Sequence, residues 1–211
     1  MAEVLITLGI IGVVSAMTVP SLIQNYQRQS YVTQMHKVYN ELMQASERFM
    51  SDNNAVNLKE AGLNSQAGLD NFIKSNFKII TDCGASSTPC FAPNSQYKKI
   101  TGTGAGTSQP ANVTLASGVS FAYGYTGAGG TDKLAIIDVD INGAKGPNIA
   151  GRDVFIIGVF NNGLIDDYGA VSAPASKDER DNLFNNNCNS SSGGWYGCFG
   201  KILNDNWQMT Y

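Results

Sequence analysis

Residues 4–23 read VLITLGIIGVVSAMTVPSLI, twenty residues without a charge, and the first cation of the chain is Arg28. At roughly 1.5 Å per residue, such a helix has the length of a bilayer's hydrocarbon core. A cleaved secretory signal would start basic, carry a shorter apolar run and end in a small-x-small site. Here Met1-Ala2-Glu3 is acidic, and the apolar run continues into a helical pattern. A carboxylate at the start of a membrane span is expensive in lipid and tends to mark function. Otherwise Glu3 is an acid lying among headgroups, where it favours the positive end of a helix dipole.

Beyond this run, residues 24–53 predict an amphipathic continuation. Tyr31, Met35, Val38, Tyr39, Leu42, Phe49 and Met50 recur at the helical period, and no Gly or Pro falls between Ser21 and Ala61. One helix from about residue 2 to about residue 53 would be near 80 Å long. Its first half is apolar all round and its second half has one apolar face. Pro20 lacks an amide proton and favours a kink. Gly9, Gly12 and the β-branched Val13, Val14, Thr18 and Val19 lower helix propensity in the same region.

Composition narrows the function classes. Of 211 residues 43% are hydrophobic, enough for a core, while only 15% are charged. Gly (23 residues) and neutral polar residues fill the deficit, a balance common in loop-rich extracytoplasmic domains. The net charge of −3 is scattered, with no basic run, which argues against a nucleic-acid surface. A single histidine, His36, argues against histidine catalysis and histidine-rich metal sites.

The segment Ala2-Glu3-Val4-Leu5-Ile6-Thr7-Leu8-Gly9-Ile10-Ile11-Gly12-Val13-Val14, with Pro20 at the matching distance, resembles the N-terminus of type IV pilins and type II secretion pseudopilins. The motif covers about a tenth of the chain. It implies an α+β fold: a long N-terminal helix, transmembrane then amphipathic, packed on an antiparallel β-sheet head. It also implies helical filaments assembled from an inner-membrane pool, with Glu3, Gly12 and Pro20 serving assembly. Glu3 would pair with the N-terminal amine of a neighbouring subunit and set axial register. Gly12 to Pro20 would be the stretch that loses regular structure in the filament. An assembly ATPase, a platform protein and a secretin would be the machine partners. The family further implies a peptidase that removes a short basic leader and methylates the new amine. No Lys or Arg before a Gly stands ahead of Glu3, so the expectation is numbering from an internal Met or a trimmed mature form.

The expected domains are residues 1–53, the helix (4–23 membrane or filament core, 24–53 amphipathic), and residues 54–211, an extracytoplasmic head. In the head a short helix is expected around Ala67 to Asn76. Strands are expected at Val113 to Leu115, Val119 to Tyr125, Leu134 to Ile141 and Val154 to Phe160. Turn signals separate them at Ser117-Gly118, Gly127 to Gly130, Asn142-Gly143 and Asn161-Asn162-Gly163. The end, Lys201 to Tyr211, reads as a last edge strand. Four cysteines fit disulfides outside the cytosol, and the short Gly-, Ser-, Pro- and Asn-rich intervals favour Cys83 with Cys90 and Cys188 with Cys198. Zinc lacks both C-x-x-C spacing and histidine. By the resemblance, the segment from Cys188 to Cys198, with Trp195 and Tyr196, would be an exposed, variable surface.

Asp138-Val-Asp140-Ile-Asn142-Gly143 places oxygen ligands at alternate positions before a glycine, as a calcium loop does, but Ile149 stands where an EF-hand has Glu. Some related pseudopilins bind calcium in head loops. The competing reading is a strand with Asp138 and Asp140 in solvent, closed by an Asn-Gly hairpin. Lys145 and Arg152, in the loop that follows, could pair with those aspartates. Gly102 to Gly106 lacks the Lys-Ser/Thr of a phosphate loop, and no nucleophile has a histidine nearby, so no enzyme is expected. His36 is read as solvated or interhelical, and Asp166-Asp167 as exposed charge. The expected function is a filament subunit of a type IV pilus, found in the inner membrane and then outside the cell. The alternatives are a minor pseudopilin in a periplasmic pseudopilus and a membrane-anchored binding domain that never polymerises.

Overall fold

A computed structural model describes residues 2–127 and 132–211, the side chains of residues 2, 3, 5 and 6 excepted. Helix α1 (Ala2–Asp52) runs unbroken for 51 residues, with Pro20 inside it. Its two halves meet different surroundings, as the pattern predicts. Leu8, Ile10, Ile11, Val13, Val14, Met17, Leu22 and Ile23 are all exposed, whereas Val32, Met35, Val38, Leu42, Ala45 and Phe49 are buried. The buried six recur at three- and four-residue steps, so one stripe faces the head. Each of these side chains except Ala45 contributes roughly 1.5–3 kcal/mol relative to exposure.

After α1, Leu58 and Leu63 tuck into the core, and α2 (Gln66–Asn76) starts where the Ser65 side chain caps Gly68 N. Leu69, Phe72 and Ile73 form its buried face, and Phe72 meets Phe49 of α1 edge-on at 5.3 Å. Eight strands follow among the described residues. They are β1 (Ile79–Gly84), β2 (Lys98–Lys99), β3 (Ala111–Leu115), β4 (Ser120–Tyr125), β5 (Lys133–Asp140), β6 (Ile149–Ala150), β7 (Val154–Phe160) and β8 (Ile165–Asp167). The sheet order is β1-β3-β4-β5-β7-β6-β2, and β8 also pairs with β7.

The four expected strands correspond to β3, β4, β5 and β7, within a residue or two of their ends. The all-antiparallel head is corrected to a mixed sheet: β6 runs parallel to both β7 and β2. The reason is local. The chain leaves β5, lays two residues of β6 beside Val154, and only then enters β7. The Asn142-Gly143 turn is therefore not a two-residue hairpin, because residues 141–153 lie between the paired strands. Most of the expected Gly127 to Gly130 turn lies outside the described residues.

Period-two alternation gives β4, β5 and β7 two different faces. Phe121, Tyr123, Ile137, Val139, Phe155 and Ile157 join the core beneath α1 and α2. On the opposite face Ala122 and Val154 pack with Cys90, Phe91, Ala92 and Tyr97, so the loop between β1 and β3 roofs it. Both faces of the central strands are thus dry, which is why every residue of β7 is buried.

The expected C-terminal edge strand is absent. Residues 177–204 instead form α3 (Lys177–Leu183), one π-helical turn (Phe184–Cys188) and α4 (Cys198–Asn204). The chain then reverses through Asn206 and Trp207 at φ of 51° and 59°, and the Trp207 ring stacks on His36 at 3.9 Å. His36 is corrected accordingly: it joins α1 to the C-terminal tail, because an apolar indole covers its face.

Candidate functional site

Two regions carry the candidate chemistry: the exposed half of α1, and the loops around the sheet's open ends. In α1 a methyl placed on Gly9 or Gly12 would meet nothing within 4 Å beyond its chain neighbours and the helix's own backbone, so packing inside the chain does not explain either glycine. Pro20 cannot donate to the carbonyl four residues earlier, yet the helix continues through it. Beside it the Thr18 hydroxyl donates to Val14 O at 2.9 Å. The segment from Thr7 to Asp52 holds a window long and apolar enough to cross a membrane, none of which is buried. The Glu3 side chain lies outside the described residues.

Both expected disulfides are present, Cys83–Cys90 and Cys188–Cys198, with Cα separations of 6.2 and 5.3 Å. The first pins the loop that roofs the sheet. The second closes the segment between the π-helical turn and α4.

The calcium candidates sit elsewhere than solvent. Asp138 and Asp140 are 1% and 0% exposed, because they project from β5 onto the face covered by residues 85–110. Asp138 accepts from Gln109 Nε2 at 3.3 Å and lies beside Thr107. Burial pushes its carboxyl up to about 7, against a smaller downward pull from Thr107 and Gln109. Asp140 accepts from the Tyr97 hydroxyl at 2.7 Å and from Asn142 N at 3.3 Å. Burial raises it to about 7 as well, and the Asp153 charge adds to that rise. Asn142 turns its Nδ2 toward Gly146 O and Asp153 Oδ2, leaving its own oxygen unpartnered.

No group of three or more acidic, His or Cys side chains suited to a metal occurs among the described residues. Asp140 and Asn142 bond within the turn itself. Asp153, which the sequence reading passed over, does the closing: it accepts from Asn148 N at 2.8 Å and Ile149 N at 2.7 Å. Lys145 is exposed and Arg152 bonds to Tyr211 O and Met209 Sδ, so neither pairs with Asp138 or Asp140.

Asp166 and Asp167 are also corrected, from exposed charge to 1% and 0% exposed. Arg180 of α3 grips Asp166 with two nitrogens, at 3.0 and 2.5 Å. Asp167 accepts from the amides of Gly169, Gly197 and Gly200, and so caps α4, whose N-cap residue, Gly197, has no side chain to do it. Gly197 has φ of 95°, and a Cβ there would meet Leu183 O at 2.4 Å, so the position requires glycine.

Lys99 is the residue least readable from its neighbours in the sequence. Its side chain leaves β2, is buried, and sets its three N–H groups among four main-chain carbonyls, those of Asn187, Ser190, Gly193 and Gly194. The ammonium occupies the centre of the Cys188–Cys198 segment as a bound cation would. Its partners lie about ninety residues downstream, so no local pattern announces it. No protein-family model, curated protein or solved structure matches the chain.

Proposed function

We propose that this chain is a structural filament subunit of the type IV pilin kind. The first half of α1 would hold it in a membrane until copies pack those halves together. The observation that supports this is the division of α1. Its apolar residues from Leu8 to Ile23 are exposed, while the same helix is clamped from Val32 to Phe49 into a disulfide-pinned head. A purely structural anchor would serve with any apolar segment. Here the segment also carries Glu3, an unpacked glycine pair and Pro20 at the spacing of a filament helix. A minor pseudopilin of a type II secretion system fits the same features. An anchored binding domain is the reading from another class.

Glu3 gives the test. In a bilayer it lies near headgroups, so Glu3→Ala should insert normally. In a filament it would meet the amine of a neighbouring copy, and removing one side of a buried pair costs roughly 3–5 kcal/mol per subunit. Glu3→Ala as the sole copy should reach normal membrane levels yet yield few or no filaments in negative-stain microscopy of surface-sheared material. Filaments from the variant at the parent's level would refute the pairing. An absence of filaments from the overproduced parent would favour the anchored domain.

A further inference from the structure

At the height where α1 passes from its exposed to its buried half, a groove of about 570 Å³ opens against the C-terminal tail. One wall is Asn25, Arg28, Gln29, Val32 and Thr33 of α1; the other is Trp207, Gln208 and Met209. No carboxylate lines it. Arg28 is half-buried and makes no hydrogen bond or ion pair with a described residue. Behind the Met209 wall lies a second guanidinium, Arg152, bonded to Met209 Sδ at 3.1 Å and to Tyr211 O at 2.8 Å. The Arg152 guanidinium is held below its ordinary pKa first by burial and then by repulsion from Arg28. Arg28 thus stands in a groove with no carboxylate among its lining residues, an arrangement that an anion would relieve.

The position says which anion. Exposed apolar side chains run along α1 from Val4 to Tyr26, and the groove begins at Asn25. If the apolar half spans a bilayer, as the proposed function holds, Arg28 and Trp207 lie at headgroup depth, where cations and aromatic rings concentrate. We propose that the groove between Arg28 and Trp207 binds the headgroup of an anionic glycerophospholipid. Arg28 meets the phosphate, Asn25, Gln29 and Gln208 donate to its oxygens, and the Trp207 ring covers the glycerol. The site would orient the head on the membrane before assembly, since α1 alone leaves rotation about its axis free.

The full chain in a Trp195→Phe background, reconstituted into nanodiscs, leaves Trp207 as the sole tryptophan reporter. Replacing phosphatidylcholine stepwise by phosphatidylglycerol should change Trp207 emission saturably. Arg28→Gln should raise the anionic fraction needed for half the response about fivefold, the worth of one cation near such a surface. Gln208→Glu should abolish the response, whereas Arg48→Gln, the same loss of charge on an exposed part of α1, should leave it unchanged. An equal response in Arg28→Gln and the parent overturns the site. So does equal weakening by Arg48→Gln, or a response reproduced by inorganic phosphate without anionic lipid. A chain that fails to integrate into the nanodiscs overturns the membrane reading itself, and the groove proposal with it.

Discussion

Lys99 and Asp167 show how single buried charges set the form of the C-terminal segment. Lys99 supplies a positive charge to four carbonyls that point inward from residues 187–194. Asp167 supplies a negative one to amides at the start of α4. Burial lowers the Lys99 pKa, so the charged form is held against its desolvation by those carbonyl dipoles. Lys99→Met keeps the stem but leaves the carbonyls unpaired. Each unsatisfied buried group costs about 1–3 kcal/mol, partly relieved by water. We expect Lys99→Met to fold with a lower melting temperature and to lose amide-exchange protection mainly within residues 187–197. Unchanged protection there would show that the disulfide alone holds the segment.

At the scale of elements, α1 is two helices in physical terms. The half from Val32 to Phe49 is stabilised by the sheet, while residues 4–26 find no partner inside the chain. Truncating a side chain should register only where it is packed. Leu42→Ala, at a fully buried position, should cost about 2–5 kcal/mol of head stability in denaturant unfolding. Val14→Ala, at 53% exposure, should leave that value unchanged. An equal loss in both would mean that the exposed half contributes to the head's cooperative unit.

For the whole molecule, the sheet carries its buried acids on the roofed face and beyond it. Asp138 and Asp140 are raised to about 7 and Asp167 to about 6, each chiefly by desolvation. A carboxyl raised on folding binds more protons native than unfolded between its two pKa values, so stability falls as pH rises through that window. The window here runs from about 4, the unfolded value, to about 7. The head should therefore melt several degrees higher at pH 5 than at pH 8. Asp138→Asn, which cannot ionise, should flatten part of that slope. A melting temperature that rises with pH across this range would contradict the burial of these acids. The same melts in chelator should be unchanged, since Asp138 and Asp140 are held by Gln109 and Tyr97. A lowered melt would restore calcium at this turn.

Local pattern determined much of the frame: the two-part helix, α2, four of the eight strands (β3, β4, β5 and β7) and the two short disulfides all follow from spacing within a few residues. Such signals are local, because period and turn chemistry are properties of neighbouring positions. The tertiary structure decided what lay across the sheet. Asp166 and Asp167 read as exposed charge after a turn, and solvent was one of two readings for Asp138 and Asp140, because local pattern cannot say what covers a face. The cover comes from residues 85–110 on one side and from α3 and α4 on the other, distant segments with weak patterns of their own. The parallel placement of β6 depended in the same way on a thirteen-residue loop folding back on its own strand. The partners of Lys99 and the groove beside Arg28 each require segments brought together from far along the chain, and sequence spacing holds no record of such encounters.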